Sequence, residues 1–271
     1  MNNPAQGPIG IFDSGIGGLT VAHAIARMLP HEHFIYFGDT IHLPYGDKSE
    51  AAIQAYSVKI ADMLLKKGCK VIVIACNSAS SAAYELLKEY VRKDAHIINV
   101  IDPMVEYIGT HCLDETVGLI GTKRTVESGV YAYRINKSYQ HITLKSLPTP
   151  LLAPMIEEGF YNNQISTEII AQYLAHPALQ DIQSLILGCT HYPLIKKEIE
   201  LFYSKKVKVL DSSEIVAQAL KSHLTANDLL NPEGHKASRQ FLVSDFTPSF
   251  QHSTRQFFGQ EVCLELHKLW N

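Results

Sequence analysis

Two rhythms of apolar residues alternate along the chain. Short β-branched or aliphatic runs at 8–12, 33–37, 71–75, 96–101, 117–120, 185–187 and 207–210 have the length and composition of strands buried on both faces. Between them apolar residues recur at three- and four-residue spacing, as in Ile53, Tyr56, Ile60, Met63 and Leu64, which marks helices. The spacing predicts helices over 19–29, from a Ser49 cap to a stop at Gly68, over 80–92, from Pro103 onward, over 165–174 and up to about Tyr203. Further helices are expected from a cap at Asp211 or Ser212 to 224, and over 247–257. Weaker strands are expected at 142–144, 240–243 and 262–266, with a polar loop over 226–238. Strand and helix alternate throughout, so the predicted class is α/β with sheets rich in parallel pairs.

Two predicted strand ends share one design. In KVIVIACNSASS the run 71–75 leads into Cys76, Asn77 and Ser78; in SLILGCTHYPL the run 185–187 leads into Gly188, Cys189, Thr190 and His191. Each presents a cysteine with a hydroxyl-bearing residue close behind, at the carboxyl end of a strand, where open α/β sheets bind their ligands. A faint repeat accompanies them: Asp13-Ser14 ends a strand 63 residues before Cys76, and Gly121-Thr122 ends one 68 before Cys189. The expectation is two similar α/β domains facing each other across a cleft, the first 1–98 with 211–271, the second 99–210.

Composition narrows the function. The 271 residues are 46% hydrophobic and 19% charged, an ordinary globular balance. A net charge of −3 leaves no basic stripe for nucleic acid, and no apolar run is long enough to span a membrane. The first ten residues carry neither a basic region nor an apolar stretch, so no secretory signal is expected. Five cysteines, an odd number without close pairs, argue against a disulfide framework and for a reducing cytoplasm.

Free cysteine is usually a small buried hydrophobe, and that is the expectation for Cys69, Cys112 and Cys263. Cys76 and Cys189 differ in position: a helix N-terminus following each would favour a thiolate and bring its pKa toward neutrality. A zinc site at Cys189-x-His191 lacks a second ligand pair, so no metal is expected. The turn DSGIGG partly mimics a dinucleotide fingerprint, but Thr20 stands at the third glycine position and Asp13 would oppose a pyrophosphate. The turn is otherwise either a plain tight turn or a device that delivers Asp13 and Ser14 to a small polar ligand. Pro44-Tyr45-Gly46 reads as a surface turn or as a binding loop offering backbone N–H groups. Asp39, Glu157 and His191 are lone polar residues near strand ends, where caps are commoner than catalysts.

Together IGIFDSGIGGLTV from Ile9, FGDT at Phe37, PYG at Pro44, ACNSAS from Ala75, GT at Gly121, PMIEEG at Pro154 and LGCTHYPL from Leu187 resemble the glutamate racemases of the aspartate/glutamate racemase superfamily. The matches run in order from residue 9 to about 211. Ser78 replaces a threonine common in the family and keeps the hydroxyl. The resemblance implies two domains related by a pseudo-twofold, an active site between them, and interconversion of L- and D-glutamate without pyridoxal phosphate or any other cofactor, in support of peptidoglycan synthesis. By resemblance Cys76 takes the proton from D-glutamate and Cys189 from L-glutamate, with Asp13 and His191 assisting. Ser14, Asn77, Ser78, Thr122, Thr190 and the Pro44–Tyr45–Gly46 loop would hold the substrate, with Asp39 and Glu157 behind them. A homodimer is one assembly open to such a chain. Racemisation itself asks for two acid–base groups on opposite faces of a planar carbanion, which two facing cysteines supply. The rivals are an amino-acid-binding protein that does no chemistry and a single-cysteine hydrolase, which leaves the second cysteine without a task.

Overall fold

The computed structural model describes residues 6–234 and 236–270. Residues 1–5, 235 and 271 of the expected domains lie outside them. In chain order the first half runs β1 (Ile9–Asp13), α1 (Leu19–Met28), β2 (Phe34–Gly38), α2 (Glu50–Lys66), β3 (Val71–Ile74), α3 (Asn77–Val91), β4 (His96–Asn99) and α4 (Ile101–His111). The second half runs β5 (Thr116–Gly121), α5 (Lys123–Glu127), α6 (Val130–Ser138), β6 (Thr143–Pro148), α7 (Leu152–Glu157), α8 (Gln164–Leu174), β7 (Ser184–Gly188), α9 (Lys196–Phe202), β8 (Lys208–Asp211) and α10 (Ser212–Ala226). The tail adds β9 (Arg239–Val243), α11 (Pro248–Phe258) and β10 (Leu264–Leu266).

The strands form two parallel sheets, ordered β10-β9-β2-β1-β3-β4 and β6-β5-β7-β8. The cores β2-β1-β3-β4 and β6-β5-β7-β8 have the same order, so β1 matches β5 and β3 matches β7. The faint sequence repeat is thus a repeat of topology. It extends to the caps after the outer strands: Asn99 accepts from Ile101 and Asp102 N–H groups, and Asp211 accepts from Ser213 N–H. The central strands are apolar because both faces are covered. Val71 to Ile74 and Leu185 to Leu187 are almost fully buried, each side chain contributing about 1.5–3 kcal/mol. Helix α10 packs on α1 and α4, tying the second half to the first.

Several expectations shift. Helix α3 begins at Asn77 rather than near residue 80, because Cys76 is itself the cap: its Sγ accepts from Ala79 N–H. Helix α4 starts at Ile101, two residues before Pro103, under the Asn99 cap. Two helices, α5 and α6, follow Thr122, separated where Gly129 takes φ 66°. Cys263 is exposed, not buried: it alternates with the inward Val262 and Leu264 on the edge of the larger sheet.

Candidate active site

The carboxyl ends of β1 and β3 open onto a cavity of about 210 Å³ that the end of β7 also lines. Ser14, Pro44, Tyr45, Gly46, Cys76, Asn77, Ser78, Thr122, Glu157, Cys189, Thr190 and His191 all line it. Leu43 and Ala153, which lie outside every quoted motif, share the wall, as do Pro154 and Glu158 of PMIEEG. Two expected residues stand one layer back. Asp13 is fully buried under the turn and accepts from Gly15 N–H at 3.0 Å. Asp39 holds the binding loop from behind: it accepts from the Tyr45 hydroxyl at 2.6 Å, Trp270 Nε1 at 2.7 Å and Ser244 Oγ at 2.9 Å, and pairs with His42 Nδ1 at 2.9 Å.

Gly17 and Gly18 of DSGIGG are required by close approach, not by a phosphate. A Cβ on Gly17 would lie 2.6 Å from both Thr190 Oγ1 and His191 Cε1, and one on Gly18 would lie 2.5 Å from Asp13 Cβ. The turn therefore packs directly on the Cys189 strand end. Gly46 plays the same part on the other side, where a Cβ would sit 2.9 Å from Thr122 Cβ.

Cys76 directs its thiol to Ser14 Oγ at 3.7 Å while receiving Ala79 N–H at 3.4 Å. Cys189 Sγ lies 3.6 Å from His191 Nδ1. The protein's own groups do not favour the expected thiolates. Burial pushes Cys76 up to about 12, aided by the charge of Asp13 and opposed by the Ala79 and Ser14 hydrogen bonds. Cys189 is raised too, first by burial and then by charge on Cys76. At Cys76 desolvation outweighs the start of α3, and Cys189, against expectation, is followed by a short 3-10 turn over Tyr192–Ile195 rather than by an α-helix start; both sulfurs are almost fully enclosed. The mutual effect means that charge on one thiol opposes charge on the other. His191 is pushed down by burial to about 4 and is neutral near pH 7. Glu157 is raised to about 7 by burial, then by Asp13 and Glu158.

Donors gather at helix starts around the cavity. Thr122 caps α5, accepting from Thr125 N–H, and its hydroxyl meets Ser78 Oγ at 2.9 Å. Asn77 is the first residue of α3, and its Nδ2 is buried without a hydrogen-bond partner among the described residues. Such an arrangement can hold a small anion and exchange protons with it from two sulfurs. Among the described residues no three His, Cys, Asp or Glu side chains converge as a metal site, and no helix is long and apolar enough to cross a membrane.

Residues 16–220 match the family model described as Asp/Glu/hydantoin racemase. The glutamate racemase of Chlorobaculum tepidum is 36% identical over 258 residues, which is 95% of this chain and 94% of that protein. The crystal structure of glutamate racemase from Francisella tularensis subsp. tularensis in complex with D-glutamate superposes with a TM-score of 0.91 at 38% identity, covering 98% of both chains. That of glutamate racemase from Thermus thermophilus in complex with beta-chloro-D-alanine gives 0.88 at 37%, covering 99% of both. The similarity extends over nearly the whole of each relative, and the chain belongs to the Asp/Glu/hydantoin racemase family.

Proposed function

We propose that the chain is a glutamate racemase that works with two thiols and no cofactor. The observation that carries the proposal is the placing of Cys76 and Cys189 after the matched strands β3 and β7, on the wall of one cavity. On this reading one domain comprises 1–98 with 211–271 and the other 99–210, the divisions lying one residue short of the ends of β4 (His96–Asn99) and β8 (Lys208–Asp211).

Substrate carboxylate oxygens accept hydrogen bonds from Asn77, Ser78 and Thr122, with the Tyr45–Gly46 backbone, Ser14 and Thr190 completing the cradle. The substrate ammonium brings a cation beside the buried sulfurs and lowers the pKa that burial has raised. Because each thiol resists ionisation next to the other's charge, the reactive state has one thiolate and one thiol. The Cys76 thiolate takes the α-proton of D-glutamate. The electron pair left on Cα spreads into the carboxylate, where donors already aimed at it stabilise the growing charge. The Cys189 S–H then delivers its proton to the opposite face. L-glutamate leaves, Cys76 is a thiol and Cys189 a thiolate; the reverse reaction uses the same groups in exchanged roles. Asp13, through its charge beside Cys76, and neutral His191, in contact with Cys189, adjust the two sulfurs.

The product supplies D-glutamate for peptidoglycan synthesis in the cytoplasm. Circular dichroism of either enantiomer, incubated with the purified cofactor-free chain, should decay to zero as the two forms equalise. A stable signal with both enantiomers, or a higher kcat/KM for aspartate, would overturn the assignment.

A further inference from the structure

Asn77 lines the cavity and is only 2% exposed. Its two amide atoms have different partners. The Oδ1 accepts from the Tyr131 hydroxyl at 2.9 Å, whereas Nδ2 has no partner among the described residues. Tyr131 stands on α6, 54 residues further along, and is 1% exposed.

We propose that Tyr131 is a positioning residue, whose hydroxyl fixes the Asn77 amide with its NH2 group toward the cavity as a donor to a substrate carboxylate. An asparagine side chain can turn over and exchange oxygen for nitrogen at small steric cost. The reversed amide would face a carboxylate with a carbonyl oxygen, replacing a hydrogen bond by repulsion. A buried phenol O–H needs an acceptor, and Asn77 Oδ1 is the acceptor beside it. Turning the amide over would leave that proton without one. The hydroxyl therefore biases the amide before any substrate arrives.

The geometry also makes the donor conditional on contact between α6 and α3. Arg134, less than one turn beyond Tyr131, pairs with Glu85 on α3 and with Asp102 at 3.4 Å, and its guanidinium lies over the Tyr84 ring at 5.8 Å. These contacts do not involve the phenol oxygen, so Tyr131→Phe keeps the helix in place while removing the hydrogen bond.

The inference rests on the racemase assignment for its substrate, but its test separates the two. Tyr131→Phe should raise KM for both D- and L-glutamate about tenfold and, because the same donor stabilises the charge that grows on the carboxylate, lower kcat as well. D-glutamate affinity by calorimetry should weaken by the same factor, and thermal unfolding should show an intact fold. In an Asn77→Ala background the same change should alter KM and affinity less than about twofold, because the amide it orients is gone. Unchanged KM and affinity in Tyr131→Phe would overturn the proposal. An equal loss in the Asn77→Ala background would also overturn it, since the phenol would then act through packing alone. A wild-type chain that binds D-glutamate without racemising it would sink the racemase assignment, yet calorimetry on these variants would still decide the role of Tyr131.

Discussion

Replacing Gly17 by Ala adds one methyl group at the tightest junction between the two strand ends. The new Cβ would lie 2.6 Å from Thr190 Oγ1 and His191 Cε1, and 2.7 Å from His191 Nδ1. Comfortable contacts begin near 3.5 Å, so the turn after β1 and the residues after β7 must separate by about 0.9 Å. The neighbours are poor candidates for local relief: Thr190 and His191 are buried, and the His191 ring is held edge-on to Phe257 with centroids 5.2 Å apart. The strain passes to Cys189, whose Sγ is 3.6 Å from His191 Nδ1. A displacement of about 1 Å at reacting atoms can cost on the order of 100-fold in rate. Overpacking of this kind costs roughly 1–3 kcal/mol in stability, a fall of a few degrees to about 10 °C in Tm. Polarimetric or circular-dichroism kinetics in both directions, with Tm measured alongside, should find kcat/KM lower by about 100-fold in a folded protein. Activity within about threefold of wild type in both directions would refute the inference that this glycine sets the cysteine geometry.

Other substitutions test other parts of the structure. Lys70→Met removes the cation from a buried pair in which Lys70 Nζ lies 2.6 Å from Glu32 Oε2; Glu32 keeps its hydrogen bonds from Asn231 N–H and Nδ2 but loses its countercharge, which should cost about 3 kcal/mol, read as a lower urea midpoint, and an unchanged midpoint would contradict it. Glu157, with its pKa raised from 4.5 to about 7, stays protonated in the folded chain where the unfolded chain has released its proton. Its contribution is therefore full below about pH 4.5 and lost as pH rises through 7, so Glu157→Gln should gain Tm relative to wild type across that interval; a constant difference would contradict the raised pKa of Glu157. Cys76→Ser and Cys189→Ser exchange a thiol for a far less acidic hydroxyl and should each nearly abolish racemisation in both directions with the fold retained. Mixing the two variants should restore nothing, and recovery of activity on mixing would place the paired thiols on different chains.

Much of the site is legible in the sequence because its residues sit at the ends of uninterrupted apolar runs. Val71 to Ile74 and Leu185 to Leu187, short β-branched or aliphatic runs closed by turn residues, match buried strands, and residues at the carboxyl ends of such strands in a parallel sheet face the ligand edge. The start of α3 is less legible: Asn77, Ser78 and Ser80 look like loop residues until Cys76 is seen to cap the helix. The glycines of the first turn look like a phosphate fingerprint; Thr190 and His191, far away in the chain, explain Gly17, and Asp13 Cβ explains Gly18. Long-range partners leave no local signal. Tyr131 behind Asn77, and Ser244 and Trp270 behind Asp39, are ordinary residues in plain segments, brought in by the fold. The ionisation of the thiols departs from expectation for a physical reason. A helix N-terminus can be read from residue order, whereas the enclosure that outweighs it belongs to the packed molecule.

The two-thiol account is tested most directly by the isotope of the transferred proton. With the substrate's α-position protiated and the enzyme in D2O, product should carry deuterium at Cα from its first appearance, because the proton delivered comes from the second, solvent-exchanged thiol. Unreacted substrate should remain largely protiated over the same early interval. A single base that removes and returns one proton would instead give early product that retains the original hydrogen, and substantial protiated product at low conversion would contradict a mechanism built on Cys76 and Cys189.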